Sequence, residues 1–180
     1  MRATTAPQAT HSMLLVDDEE GVRAALRRCL RAERYEIVEA SSGSAGLALL
    51  RTRPVDVIIA DQLMPQMSGI DFLCSARIVR PDTVRIVLTG HADLEVAMRA
   101  INEGLVYRFL VKPWDSHTLR VMLRLAVHHL DAERRKTRLL GLVERQAEQL
   151  ERMHVEHPGA MSVVRDESGA ILLPDDATEA

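Results

Sequence analysis

With 180 residues, 47% of them hydrophobic and 27% charged, the chain has room for one core-bearing domain plus an appendage and the balance of an ordinary soluble globular protein. Its formal net charge of −3 gives no global attraction to nucleic acid. No apolar run approaches the roughly 18 residues of a membrane span. The two cysteines, Cys29 and Cys74, fall on apolar helical faces without metal spacing, which predicts reduced core thiols and a cytoplasmic protein.

Residues 1–11 lack an apolar signal-peptide core and read as a disordered leader. Met13-Leu14-Leu15-Val16 is a short apolar strand that ends in Asp17-Asp18-Glu19-Glu20. Val22, Leu26, Cys29 and Leu30 then recur at helical spacing and predict a first helix from Glu19 to Arg31, its acidic first turn matched to the helix dipole. Glu36 to Ala40 alternates as a half-buried strand. Ser41-Ser42-Gly43-Ser44 supplies caps for a helix carrying Leu47, Leu49 and Leu50 that stops before Pro54.

Val55-Asp56-Val57-Ile58-Ile59-Ala60-Asp61 reads as a buried central strand, rich in β-branched residues and closed by an acid. Gly69 to Val79 makes a third helix, stopped by Pro81. Val84 to Leu88 is a fourth strand running into Thr89-Gly90-His91, and Asp93 can cap a fourth helix that ends near Gly104. Tyr107 to Val111 is a fifth strand leading into Lys112-Pro113-Trp114. Asp115 or Ser116 caps a fifth helix with Leu119, Met122, Leu123, Ala126 and Leu130 inward. Five β-α units with short connections predict an α/β fold: a five-stranded, parallel, doubly wound (flavodoxin-like) sheet with a long C-terminal helix.

An acid at a strand end is more often a turn residue than a reactive group. Here, though, Asp17 and Asp18, Asp61, Thr89 and Lys112 all follow strands, and in an open α/β sheet the carboxyl ends of the strands form one edge. Crowded carboxylates repel unless cations intervene. Lys112 alone is too little, and a divalent oxygen-seeking ion such as Mg²⁺ suits the set. That ion, Thr89 as donor and Lys112 as point charge would also hold a phosphoryl group, leaving Asp61 to act as nucleophile. The chain has 21 Arg and only two Lys, Lys112 and Lys136, so a lysine in this cluster marks a place for a compact ammonium. A dinucleotide or flavin site would need a Gly/Ser/Thr-rich loop after the first strand, where this chain has four acids. A haloacid-dehalogenase-type phosphohydrolase would carry Asp-x-Asp there, not adjacent acids.

Val16-Asp17-Asp18-Glu19, Ile59-Ala60-Asp61-Gln62-Leu63-Met64-Pro65-Gln66-Met67-Ser68-Gly69, Leu88-Thr89-Gly90-His91 and Leu110-Val111-Lys112-Pro113-Trp114 resemble, in order, the motifs of the receiver domain of bacterial two-component response regulators, over residues 12–130. The resemblance implies that Asp61 is the phosphoacceptor. It further implies that Asp17, Asp18, Asp61 and the backbone carbonyl of Leu63 hold Mg²⁺, Asp17 largely through water. Thr89 and Lys112 would contact the phosphoryl oxygens, the Lys112–Pro113 bond would be cis, and Thr89 with Phe109 would form the switch, read on the face of the fourth helix, fifth strand and fifth helix. Phe109 stands where a Tyr is frequent and lacks its hydroxyl. The implied phosphodonor is a sensor histidine kinase or phosphotransfer protein, and no catalysis beyond phosphotransfer and autodephosphorylation at Asp61 is implied. Leu63 and His91 flank the path of an attacking water, and Leu63 cannot orient it by hydrogen bonding. His91, like His128 and His129, otherwise reads as a surface residue.

Output is less legible. Residues 131–156 continue as a helix in which Leu140, Val143, Ala147 and Leu150 resume 3-4 spacing for under two heptads, interrupted by Gly141. Such a coiled-coil-like stripe either docks on its own domain or joins two copies into a homodimer. Residues 157–180 carry a hairpin pattern between Ser162 and Leu173 and an acidic tail. Tyr107 to Trp114 is similar to receivers fused to HD-type phosphodiesterases or nitrogen-regulator-type activators. The cluster Arg134-Arg135-Lys136-Thr137-Arg138 lacks aromatic interleaving and reads as a solvated helix face, not a nucleic-acid site. Two function classes fit: a phosphorylation switch, or an interaction adaptor that binds through the C-terminal helix and hairpin whatever its phosphorylation state.

Overall fold

The computed structural model describes residues 11–156. Along that span run β1 (His11–Val16), α1 (Glu20–Leu30), β2 (Tyr35–Ala40), α2 (Gly43–Thr52), β3 (Val57–Asp61), α3 (Gly69–Val79), β4 (Val84–Thr89), a 3₁₀ turn (His91–Asp93), α4 (Leu94–Asn102), β5 (Arg108–Val111) and α5 (Ser116–Glu156). All strand pairs are parallel, in the order β2-β1-β3-β4-β5. This is the expected doubly wound sheet.

Parallel strands covered on both faces need apolar side chains at every position, which explains why β1 and β3 read as unbroken runs. Alternate residues serve different cores. Leu14, Val16, Ile58 and Ala60 pack with Leu50 of α2, Phe72 and Leu73 of α3, and Ala97 and Ala100 of α4. Met13, Leu15, Val57 and Ile59 pack with Leu26 and Leu30 of α1 and with Leu119, Leu123, Ala126 and Leu130 of α5. The inward stripe expected for α5 is therefore present, with Met122 packed at its margin.

Caps and breakers set most boundaries. Ser42 accepts a bond from the Ala45 amide at the start of α2, and Ser68 does the same for Asp71 at the start of α3. Asp115 caps α5 through the amides of His117 and Thr118, each at 2.9 Å. Asp93, expected to cap α4, makes no side-chain capping bond. It closes the 3₁₀ turn instead, with its amide donating to the Gly90 carbonyl at 3.3 Å. β1 begins at His11, before the apolar run and within the span read as a leader, because Ser12 is held by Asp56: its amide donates to Asp56 Oδ2 at 2.7 Å. His11 Nε2 also lies 3.1 Å from Asp131 on α5. His129 is exposed, as expected, and also stacks on the Tyr107 ring with centroids 4.8 Å apart.

The loop after β3 contains a left-handed non-glycine residue, Gln66, at φ 68°. A side chain there costs roughly 1 kcal/mol. Gln66→Gly removes that strain but adds about 0.5–1 kcal/mol of unfolded-state entropy, so stability should be unchanged or rise by at most about 0.5 kcal/mol, read from the urea midpoint.

The chain divides into two units at Glu133–Arg134, inside α5. In the second unit, described as far as Glu156, the helix is continuous, and Leu139, Leu140, Val143 and Leu150 are exposed. The hairpin pattern and the acidic tail lie outside the described residues, as do residues 1–10 of the leader. No helix among the described residues is long and apolar enough to cross a membrane.

Candidate functional site: an acidic pocket at the strand ends

The strand order reverses direction between β1 and β3, so a crevice opens at their carboxyl ends. Asp17 and Asp18 leave β1 there, and Asp61 is the last residue of β3. One carboxylate oxygen from each of the three lies within 4.8 Å of the others. Asp17 and Asp61 are buried and Asp18 is exposed.

Asp17 and Asp61 are aimed by their surroundings. The Asp17 amide donates to the Ala40 carbonyl at 3.2 Å, and Asp17 Oδ1 accepts the Glu19 amide at 2.9 Å. Asp61 Oδ2 accepts the Leu63 amide at 3.1 Å, which brings the residue two positions on against the carboxylate. Leu63 itself is 66% exposed, so an apolar side chain stands at the rim of the pocket.

Lys112 enters from the end of β5. Its ammonium lies 2.6 Å from Asp61 Oδ1 and 3.3 Å from Asp17 Oδ2. The peptide bond to Pro113 is cis. Burial alone would lower the Lys112 pKa, but the bond to Asp61 and the charges of Asp17 and Asp61 outweigh it and hold the ammonium above its usual 10.5. The partner does not mirror this. Burial raises the Asp17 carboxyl above 3.8 despite the Glu19 amide and Lys112, and the charge of Asp61 adds to the rise. Three carboxylates against one ammonium leave an excess of negative charge in a largely buried crevice. The donor set is all oxygen. It fits a hard divalent cation that keeps several waters.

Thr89 closes β4 beside this group, since Leu88 is the partner of Asp61 and the Lys112 amide donates to the Thr89 carbonyl at 2.8 Å. Its buried hydroxyl donates to the Gly90 carbonyl at 3.1 Å, not to an acid. Phe109, opposite Val87, is half-buried against the core that α4 covers. His91 is exposed in the 3₁₀ turn.

Two residues hold the phosphoacceptor candidate in ways the sequence did not announce. Gln62 is buried, and its side-chain carbonyl accepts the Ile70 amide at 3.2 Å, tying the end of β3 to the first turn of α3. Gly69 packs so closely that a Cβ there would fall 2.2 Å from the Asp61 carbonyl oxygen. Only the Gly in the Met-Pro-x-Met-Ser-Gly run hinted at such an approach, and nothing around Gln62 marked it.

The class is thus a doubly wound α/β domain with an acidic, cation-receptive pocket at its topological switch point. The chain belongs to the response regulator receiver domain family, whose model matches residues 13–124. It is 39% identical over 137 residues to the hydrogenase transcriptional regulatory protein HoxA of Cupriavidus necator, covering 71% of this chain and 28% of that one. It is 31% identical over 166 residues to the alginate biosynthesis transcriptional regulatory protein AlgB of Pseudomonas aeruginosa, covering 91% of this chain and 35% of that one. The chain therefore spans about a third or less of these regulators. Among solved structures, the signal receiver domain of an HD domain-containing protein from Pseudomonas fluorescens superposes with a TM-score of 0.66 at 36% identity, covering 74% of this chain and 98% of that one.

Proposed function

We propose that this receiver accepts a phosphoryl group on Asp61 from a sensor histidine kinase or phosphotransfer protein, and that the acyl phosphate switches its protein contacts. The observation that carries the reading is the convergence of Asp17, Asp18 and Asp61 within 4.8 Å, with the Lys112 ammonium 2.6 Å from Asp61. Asp17, Asp18, Asp61 and the Leu63 carbonyl would hold Mg²⁺. When bound, that ion neutralises the charge that develops on the phosphoryl oxygens. An oxygen of Asp61 attacks phosphorus, the bond from phosphorus to the donor's leaving group breaks, and the leaving group departs with that electron pair. Lys112 is placed to follow the charge from the carboxylate to a phosphoryl oxygen. The protein acts as a cytoplasmic switch, its own chemistry limited to phosphotransfer and hydrolysis at Asp61.

Thr89 supplies the conformational step. Its hydroxyl proton is spent on the Gly90 carbonyl, and a phosphoryl oxygen on Asp61 is a stronger, charged acceptor. Trading one for the other moves the end of β4 and frees space for Phe109, so the change reaches the face of α4, β5 and α5. Exposed Leu140, Val143 and Leu150 support a homodimer through the C-terminal helix, which sedimentation with and without a phosphoryl mimic tests. The same apolar row favours the second reading, a phosphorylation-independent adaptor. Partner pull-down by the wild type and Asp61→Asn, each with and without Mg²⁺ and a phosphodonor, separates the two: a switch loses the difference in Asp61→Asn, an adaptor shows none in either.

Leu63 sets the lifetime of the signal. An apolar side chain at the pocket rim cannot orient an attacking water, so phosphoryl-Asp61 should decay slowly. Leu63→Asn should shorten its half-life by roughly tenfold, less than the about hundredfold or more of a side chain that itself moves the proton, because the amide would only orient the water. Following loss of label after removal of acetyl phosphate checks this, and an unchanged half-life removes Leu63 from the account.

A further inference from the structure

Arg23, on the first turns of α1, is absorbed by none of the roles above, yet it reaches back into the acidic loop. Its Nη1 donates to the Asp17 carbonyl at 2.6 Å and to the Asp18 carbonyl at 3.3 Å. Its Nε lies 3.4 Å from Glu39 Oε2, and its side chain is only 13% exposed. Glu39 is in turn held through its other oxygen by Arg27 Nη1 at 2.6 Å. It sits on β2 next to Ala40, whose carbonyl receives the Asp17 amide. One guanidinium thus ties together the start of α1, the β1–α1 loop and the end of β2.

The consequence differs for the two acids. Asp17 has further anchors in the Glu19 amide and Lys112. Asp18 is exposed, and Arg23 grips it by the carbonyl of its own peptide, so the direction of its carboxylate follows from the backbone. We propose that Arg23, oriented by Glu39, is a positioning residue for the divalent-cation site, fixing the backbone of Asp17 and Asp18 so that both carboxylates converge on Asp61. The inference rests on the reading of those acids as a cation site.

Two effects of Arg23 on a bound cation have opposite signs, which makes the inference separable. A positive group near the site repels Mg²⁺, and its removal would tighten binding. A clamp that aims the ligands strengthens binding, and its removal would weaken it. Glu39, shared with Arg27, offsets part of the charge, and the contacts to both carbonyls outweigh the rest, so the clamp wins. Lysine keeps the charge but, as a point donor, cannot bridge two carbonyls and a carboxylate as the planar fork does.

The test is calorimetric titration of the full chain with Mg²⁺ alone, without phosphodonor. Arg23→Gln and Arg23→Lys should each raise the Mg²⁺ Kd about tenfold, the scale seen when groups that orient metal ligands are removed. Glu39→Gln, which frees the guanidinium to swing, should raise it several-fold. Unchanged or tighter binding in Arg23→Gln and Arg23→Lys, both folded by circular dichroism, overturns the inference while wild-type binding leaves the cation site standing. A wild type that does not bind Mg²⁺ overturns both. If the Arg23 variants do not fold, Glu39→Gln decides, and an unchanged Kd there overturns the inference.

Discussion

Gly69→Ala should cost about 3 kcal/mol or more of stability and slow phosphorylation of Asp61 roughly a hundredfold. A Cβ at Gly69 would lie 2.2 Å from the Asp61 carbonyl oxygen, 2.8 Å from its carbonyl carbon and 2.9 Å from Gln62 Cα. These are backbone atoms and cannot rotate away. The Gly69 amide is also bonded to the Gln62 carbonyl at 3.0 Å, so α3 is seated on the peptide that follows Asp61. Relieving the overlap moves Asp61 by on the order of 1 Å, enough to misalign a nucleophile. Gly21→Ala is the control. Nothing lies within 4 Å of a Cβ there, and alanine in α1 should gain up to about 1 kcal/mol. Urea unfolding and the rate of labelling by acetyl phosphate read both effects. A Gly69→Ala protein as stable as wild type would show that α3 does not seat on Asp61 this closely.

Lys112→Met should lower stability by about 2 kcal/mol at neutral pH without divalent cation, since the ammonium is partly open to water and a fully buried pair would cost more. It should cut the phosphorylation rate by about a hundredfold or more, the usual cost of losing one donor to a developing charge. The variant leaves Asp17 and Asp61 facing each other with their shared cation gone. Two pH signatures follow. The folded Lys112 pKa lies above 10.5, so its contribution is complete below pH 10.5 and is lost as pH rises through the folded value. That alkaline loss should be absent from Lys112→Met. The folded Asp17 carboxyl lies above 3.8 because ionisation is penalised by burial, so folding gains relative stability as pH falls through the folded value toward 3.8. Lys112 is one of the groups that lower the Asp17 value, so its removal lets that value rise further, and the deficit of Lys112→Met should shrink on acidification. Comparing unfolding midpoints of the two proteins across pH tests both, and a deficit independent of pH would mean that Lys112 stabilises by packing and not by charge.

The sheet and the acids are legible in the sequence because β1, β3, β4 and β5 are dominated by apolar residues at their carboxyl ends and break off at a chemically distinct residue, while β2 shows itself by alternation. Val57 to Ala60 followed by Asp61, and Leu110-Val111 followed by Lys112, place the site without any knowledge of contacts. α3 was bounded closely because Gly69 and Pro81 punctuate it. The start of β1 was missed because His11 and Ser12 are polar and join the sheet through pairing with Tyr35 and Glu36 and through Asp56, 44 residues away from Ser12. Asp93 looked like a cap, but the chain tightens into a 3₁₀ turn before α4, a choice between neighbouring hydrogen bonds that composition does not encode. Arg23 and Gln62 were invisible for a related reason. Arg23 reaches the carbonyls of Asp17 and Asp18, and Gln62 the Ile70 amide, and unlike the caps at Ser42 and Asp115 these main-chain contacts have no positional signature in a sequence.

The central claim is that Asp61 carries a covalent phosphoryl group in the presence of Mg²⁺. Intact-mass spectrometry of the full chain after incubation with acetyl phosphate and Mg²⁺, with borohydride trapping to locate the acyl phosphate, tests it most directly. A gain of one phosphoryl group in the untreated intact mass, and homoserine in place of Asp61 after borohydride reduction with release of phosphate, both absent with EDTA and in Asp61→Asn, are the predicted result. No mass shift, or a shift that persists in Asp61→Asn, would contradict it.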